Sequence, residues 1–196
     1  VSERIQNVQP KEWNGVNFRS TLEAKTAETL DALGIPYQYE CRKIVLQEGF
    51  RCPYQKDKVR AITYTPDFEI GSSIILECKG FETPEWKNKK KMLFKYLIEN
   101  EPSTCFYQIH DCGRQLLLAL DNHWPYLGYH ILVSPKPKKS HRASVPEASP
   151  TGHEFDSIQE AMQALHLQGK PLGSILQSLT GKREYAYNYN WQLVKN

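Results

Sequence analysis

Apolar positions recur along the chain with two periods, and the switches between them divide it into elements. In "FRSTLEAKTAETLDALGIPYQYE", starting at Phe18, the residues Leu22, Ala27, Leu30 and Leu33 share one helical face. Ser20 with Glu23 three positions on forms a capping box, and Gly34 sits where a C-cap glycine belongs. The spacing predicts a helix over Thr21 to Leu33. Tyr37 to Glu40 reads as a strand, followed by a less regular polar stretch to Lys58. Two strands are then expected over Ala61 to Ile70 and Ser73 to Lys79, joined by a turn at Gly71 and Ser72. "FETPEWKNKKKMLFKYLIEN" is a second helix, with Pro84 in its first turn and Met92, Leu93, Tyr96 and Leu97 facing inward. Further strands are expected over Thr104 to His110, Gln115 to Ala119 and Tyr129 to Ser134. The order α-β-β-β-α-β-β-β implies an α/β domain, a mixed sheet flanked by helices, over residues 1–133.

A second helical pattern begins at His153. Ser157 and Glu160 form another capping box, and Ile158, Ala161, Met162 and Leu165 mark one short helix. Leu172, Ile175, Leu176 and Leu179 mark the next at i, i+3, i+4 and i+7. The outline is helix-turn-helix. Two short helices bury little by themselves, so the tail with Tyr185, Tyr187, Tyr189 and Trp191 is expected to fold back as a third element, making residues 153–196 a small domain.

Between the two lies "SPKPKKSHRASVPEASPTG", residues 134–152, whose four prolines with serine, lysine and arginine favour an extended linker. Charge gives it a second aspect. The net charge is only +3, but residues 1–133 carry 17 basic and 17 acidic side chains, 134–152 carry 4 and 1, and 153–196 carry 4 and 4. The excess therefore sits in the linker, where Lys136, Lys138 and Lys139 become candidates for phosphate contact.

With 196 residues, 40% apolar and 24% charged, the composition suits a globular protein. No run approaches the ~18 apolar residues of a membrane span, and Val1 to Pro10 has no signal-peptide core, so the expectation is a soluble, cytoplasmic protein without membrane contact. Five cysteines, an odd number without a CxxC pair, read as reduced thiols. A zinc site drawing on Cys105, His110 and Cys112 with Cys41 or Cys52 has only loose spacing behind it.

The chemistry concentrates in "TPDFEIGSSIILECKG", Thr65 to Gly80. Alternation puts Ile75, Glu77 and Lys79 on one face of a strand, with Asp67 on its hairpin neighbour. Read singly, Glu23 is a capping-box acid, Asp67 a turn residue and Glu77 with Lys79 an edge-strand ion pair. Two buried carboxylates repel, and a cation removes the cost. Asp67, Glu77 and the main-chain carbonyl of Cys78 supply the hard oxygen ligands that Mg²⁺ prefers, and Lys79 can orient water or offset charge on a phosphoryl transition state.

Pro66-Asp67, nine intervening residues and Glu77-Cys78-Lys79 resemble the PD-(D/E)XK nuclease superfamily. With "FRSTLEAKTAETLDALGIPYQYE", "YTPDFEI" and "ILECKGF", the stretch from Phe18 to Leu97 looks like the small phage-type endonucleases of that superfamily, including the junction-resolving endonuclease I of podophages. The resemblance implies a restriction-endonuclease-like fold and a phage- or bacterium-encoded origin. It also implies catalytic roles for Glu23, Asp67, Glu77 and Lys79, with Glu23 joining the metal site, and Mg²⁺ that Mn²⁺ can replace. Lys87, Lys91 and Lys95, spaced by four, form a basic stripe that is either a solvated helix face or a contact for the DNA backbone.

The C-terminal segment resembles the intron-encoded nuclease repeat of homing endonucleases. The likeness rests on "F-x-S-I-x-E-A" from Phe155, "I-x-x-x-L-x-G-K" from Ile175, and Tyr189 with Trp191. It departs where Asn188 stands near the place of a usual glycine. The resemblance implies a helix in a DNA groove, with Ser174, Gln177 and Ser178 toward base edges and Lys170, Lys182 and Arg183 toward phosphates. The combined expectation is a homodimeric, Mg²⁺-dependent DNA endonuclease making site-specific, homing-type double-strand cuts. The alternatives are a junction-resolving endonuclease on branched DNA and, from another class, a non-catalytic DNA-binding protein on a nuclease fold.

Overall fold

A computed structural model of the protein describes residues 10–137 and 152–196, and the fold is mixed α/β. Lys138 and Lys139, with most of the expected linker, lie outside the described residues. The described residues form two units. One takes in the chain up to Ala27 with Ile35–His110, the other Glu28–Gly34 with Asp111–Asn196.

In the first unit, β1 (Lys11–Trp13) and β2 (Val16–Phe18) form a hairpin that the apolar pattern did not announce. Its turn is Asn14-Gly15, both with positive φ, the combination that a two-residue hairpin needs. Helix α1 (Thr21–Ala32) follows, beginning in this unit and ending in the other. Then come β3 (Tyr37–Tyr39), β4 (Ile44–Gln47), β5 (Ile62–Tyr64), β6 (Phe68–Ile70) and β7 (Ile74–Cys78). Helix α2 (Pro84–Asn100) leads to β8 (Cys105–Ile109). The main sheet has the order β3-β6-β7-β8, antiparallel except for the β7–β8 pair, which α2 connects.

Two expectations change here. The single strand expected over Ala61 to Ile70 is two, because Pro66 lacks the N–H that would continue the ladder. Its first half, β5, pairs with β4, a strand inside the stretch expected to be irregular; its second half, β6, pairs with β3 and β7. The Glu77–Lys79 segment is not at an edge either, since β7 lies between β6 and β8 and all five of its residues are buried.

The sheet faces differ in what covers them. Ile75 packs with Ile44, Tyr64, Trp86, Leu93 and Leu97, the last three from α2. Phe68, on the opposite face, meets Phe18, Tyr37 and Tyr39 in a ring cluster with centroids 5.4–6.1 Å from its own. Thr83 caps α2, its hydroxyl accepting the Trp86 N–H at 3.1 Å, and Pro84 follows where a missing N–H costs nothing.

The second unit contains α3 (Arg114–Asp121), β9 (Tyr129–Pro135), β10 (His153–Phe155), α4 (Ile158–Ala164), α5 (Leu172–Leu179) and β11 (Tyr189–Lys195). The strand expected over Gln115 to Ala119 is the helix α3. Its Leu-Leu-Leu-Ala run has no β-branched residue, Leu116 and Leu120 are one turn apart and both buried, and Asp111 Oδ1 accepts the Gly113 and Gln115 N–H groups at its start. Strand β9 occupies the expected place but sits between β10 and β11, antiparallel to both, in this unit rather than in the first. The aromatic tail is β11, whose Trp191 is buried and whose hairpin turn places Tyr187 and Asn188 at φ 55° and 68°.

Candidate active site

The antiparallel register of β6 and β7 pairs Phe68 with Leu76 and Glu69 with Ile75, which brings Asp67 beside the C-terminal end of β7. There Asp67 Oδ2 accepts the Cys78 N–H at 2.8 Å. Glu77 is only 4% exposed, and each of its oxygens has one partner. Tyr64 donates its hydroxyl to Oε2 at 2.7 Å, and the Lys79 ammonium donates to Oε1 at 3.2 Å. The same ammonium stands 4.6 Å from the centroid of the Trp86 ring.

Helix α2 and strand β8 form the wall around this pair. Gln108 is the β8 partner of Glu77, and its Oε1 accepts the Trp86 Nε1–H at 2.9 Å and the Lys90 ammonium at 3.1 Å. Lys90 also pairs with Glu82. Past the last β7 residue, Lys79 N–H donates to the Ile109 carbonyl at 2.9 Å, and the Lys79 carbonyl meets His110 Nδ1.

Glu23 approaches from α1. Its Oε1 accepts the Ser20 hydroxyl at 2.6 Å, and its Oε2 accepts the Tyr39 hydroxyl at 2.6 Å and the Arg19 N–H at 3.1 Å. Glu23 is thus both the acid of the helix start and a buried charge whose field reaches Asp67 and Glu77.

Burial and mutual repulsion govern the protonation of the site. Loss of hydration, then the Glu77 charge, raise the Asp67 carboxyl far above its ordinary range. Burial also raises Glu77, opposed by the Tyr64 hydrogen bond and the Lys79 charge. Burial beside Glu77 raises the Tyr64 phenol, so that this group remains a proton donor. Asp67, held back from ionising by burial and by the Glu77 charge, gains from a cation beside it.

Among the described residues, no group of three or more His, Cys, Asp or Glu side chains is arranged to hold a metal ion, which leaves nothing of the zinc arrangement, and all five cysteines are free. Asp67 and Glu77 make a set of two carboxylates. Two suit Mg²⁺, which is commonly bound by one or two carboxylates together with water and substrate phosphate.

The remaining sequence candidates divide by exposure. Lys87, Lys91 and Lys95 are exposed on α2, Lys95 being 3.8 Å from Glu99. In the second unit, Lys136 is exposed with its ammonium 5.2 Å from the Tyr185 ring, and Lys170, Gln177 and Arg183 are exposed. Ser174 Oγ accepts from Arg183 at 3.4 Å, and Lys182 pairs with Glu28 at 3.4 Å. Ser178 is not available to a base edge. It lies buried one turn from Ile175, donates to the Glu184 carbonyl and accepts the Trp191 N–H at 3.2 Å.

Sequence reasoning missed Tyr64, Trp86 and Gln108. One signal was present for Trp86: with Leu93 and Leu97 it marks an i, i+7, i+11 stripe that also contains Lys90.

Residues 6–102 match the family model described as Phage endonuclease I. No curated protein and no solved structure matched the chain. The family match spans the site from Glu23 through Lys79 and Trp86, and it supports a phage-type endonuclease. No helix among the described residues is long and apolar enough to cross a membrane.

Proposed function

We propose that the chain is a divalent-metal-dependent DNA endonuclease, acting first on branched DNA, with Asp67, Glu77 and Lys79 performing the hydrolysis. The observation that carries this reading is half-buried Asp67 beside buried Glu77, with the Lys79 ammonium on Glu77, inside the segment that the phage endonuclease model matches.

Asp67, Glu77 and the main-chain carbonyl of Cys78 would hold the cation, Mg²⁺ with Mn²⁺ as a substitute. Bound there, the cation supplies Lewis acidity toward a phosphoryl oxygen and a lowered pKa for water. Tyr64 keeps the Glu77 carboxylate turned toward the end of β7. Lys79 presents its ammonium to charge developing on the phosphate, or orients the attacking water. Glu23, with three donors already on its oxygens, acts through its charge and through the packing of α1. Cleavage leaves a 5′-phosphate and a 3′-hydroxyl. The sequence has one copy of the motif, so cutting two strands calls for two chains, and a homodimer on DNA is part of the proposal.

Site-specific, homing-type cleavage is the second reading, favoured by exposed Lys170, Gln177 and Arg183 at the short helices α4 and α5. Truncation at residue 135 is a poor way to separate the two, because β9 would lose both of its strand partners. Substitution is cleaner. Wild type, Glu77→Ala and a Lys170/Gln177/Arg183→Ala variant are to be compared on a four-way junction, supercoiled plasmid and linear duplex with Mg²⁺. Junction cleavage lost only with Glu77 supports the first reading; loss of a unique duplex site with the triple variant supports the second. Binding without cleavage by wild type would leave the non-catalytic rival.

A further inference from the structure

The Lys79 ammonium rests between two groups of different kinds, a charged oxygen that other partners can claim and an aromatic face that they cannot. Glu77 Oε2 already accepts from Tyr64. A cation or a water that takes Glu77 Oε1 competes there with the Lys79 ammonium. A lysine released from its carboxylate hangs on a flexible four-carbon stem.

We infer that Trp86 is a positioning residue for the proposed reaction: its indole face keeps the Lys79 ammonium at the end of β7 when Glu77 Oε1 turns to another partner. The inference rests on Asp67, Glu77 and Lys79 being the hydrolytic site. A cation above an indole is held by the ring quadrupole, and Trp is the strongest of the aromatic side chains in this respect. That attraction does not compete for the carboxylate.

Trp86 is itself fixed from three sides. Its main-chain N–H is tied to the Thr83 hydroxyl at the start of α2. Its Nε1–H is tied to Gln108 Oε1, and Gln108 is the residue across the strand pair from Glu77. The Tyr64 ring, whose hydroxyl holds Glu77, packs against it with centroids 5.7 Å apart. Carboxylate and ammonium are thus held by two touching aromatic side chains, one for each charge. Only 6% of Trp86 is exposed, so the ring cannot swing away into solvent without opening the core.

The test begins without DNA or metal. In the full-length protein labelled with [13Cε]lysine, the Lys79 ε-methylene signal is identified by its loss in Lys79→Arg. An indole face shifts that signal upfield; it is expected upfield in wild type, less so in Trp86→Phe and at the ordinary lysine position in Trp86→Leu. Addition of Ca²⁺ should leave the wild-type signal upfield. An ordinary position in wild type, or a return to it with Ca²⁺, would overturn the inference.

Single-turnover cleavage of the four-way junction supplies the second readout. Trp86→Leu is expected to slow it about tenfold with junction affinity unchanged, and Trp86→Phe to recover most of the rate. Equal loss in both variants, or a loss confined to binding, counts against positioning. Should Trp86→Leu fail to fold, Gln108→Leu keeps the ring but unties it, and an intermediate shift and rate are expected; wild-type values for both would overturn the inference. If Glu77→Ala and Lys79→Ala cleave like wild type, it is the hydrolytic reading that fails. If they are inactive while Trp86→Leu and Gln108→Leu cleave normally, only the positioning role does.

Discussion

Tyr64 and Glu77, on different strands and thirteen positions apart, are joined by a hydrogen bond of 2.7 Å in which the buried phenol donates to carboxylate Oε2. The bond holds the only charged side chain of the all-buried strand β7 in one orientation. Tyr64→Phe removes the donor and keeps the ring against Trp86. Cleavage is expected to fall about tenfold and stability by ~1–2 kcal/mol, checked by single-turnover kinetics and thermal unfolding.

The Asp67 carboxyl, raised to about 8 by burial and by the Glu77 charge, gives the metal-free protein a pH dependence of definite sign. A folded-state value above the ordinary 3.8 means that the folded chain binds a proton that the unfolded chain has lost. The stability that this proton contributes is present at low pH and is lost as pH rises from about 4 to about 8. Thermal melts in a chelator should show wild type losing at least ~1 kcal/mol more than Asp67→Asn between pH 5 and 8. The same variant should cleave at least about 100-fold more slowly with Mg²⁺.

Within the second unit, Asp121 is 2% exposed and serves the start of α4 from 37 residues away. Its Oδ1 accepts the Ile158 N–H at 2.7 Å and the Trp124 Nε1–H at 3.0 Å, and its Oδ2 accepts the Gln159 N–H at 3.1 Å. Asp121→Ala leaves three donors without that acceptor. A loss of roughly 3 kcal/mol is expected, with amide exchange in α4 accelerating more than in β7.

Asn188, at φ 68°, adopts the left-handed conformation that glycine takes without strain. Asn188→Gly should be neutral or stabilising by a few tenths of a kcal/mol, and Asn188→Val destabilising by ~1–2 kcal/mol, both read by denaturant unfolding. Equal effects would mean that the turn does not constrain the sheet.

The exposed lysines of α2 bear on binding rather than on chemistry. Replacing Lys87, Lys91 and Lys95 by Ala should lower the slope of log affinity against log salt by roughly 0.9 for each phosphate that is no longer neutralised. The cleavage rate at saturating DNA should stay within about twofold. An unchanged salt slope would make the stripe a solvated helix face.

Much of the first unit was legible in the sequence because local forces act there. Ser20 and Glu23 start α1, Thr83-Pro84 starts α2, and alternation from Ile74 to Cys78 marks a strand that carries Glu77. The Leu-rich run in α3 was not legible as a helix, since a short apolar run satisfies a buried strand as well. Nor could a local pattern decide which strands β9 joins, because pairing partners are chosen by burial across the whole unit.

The same division holds at the candidate site. By itself the sequence determined which acids and which lysine share a strand face, because side-chain alternation needs nothing beyond the backbone. Only the tertiary structure decided that β7 is internal, that Tyr64 and Lys79 each take one oxygen of Glu77, and that Trp86 and Gln108 stand beside them. Those neighbours come from separate elements, brought together by burying Ile75, Trp86, Leu93 and Leu97 against one another, and no short-range period records such a meeting.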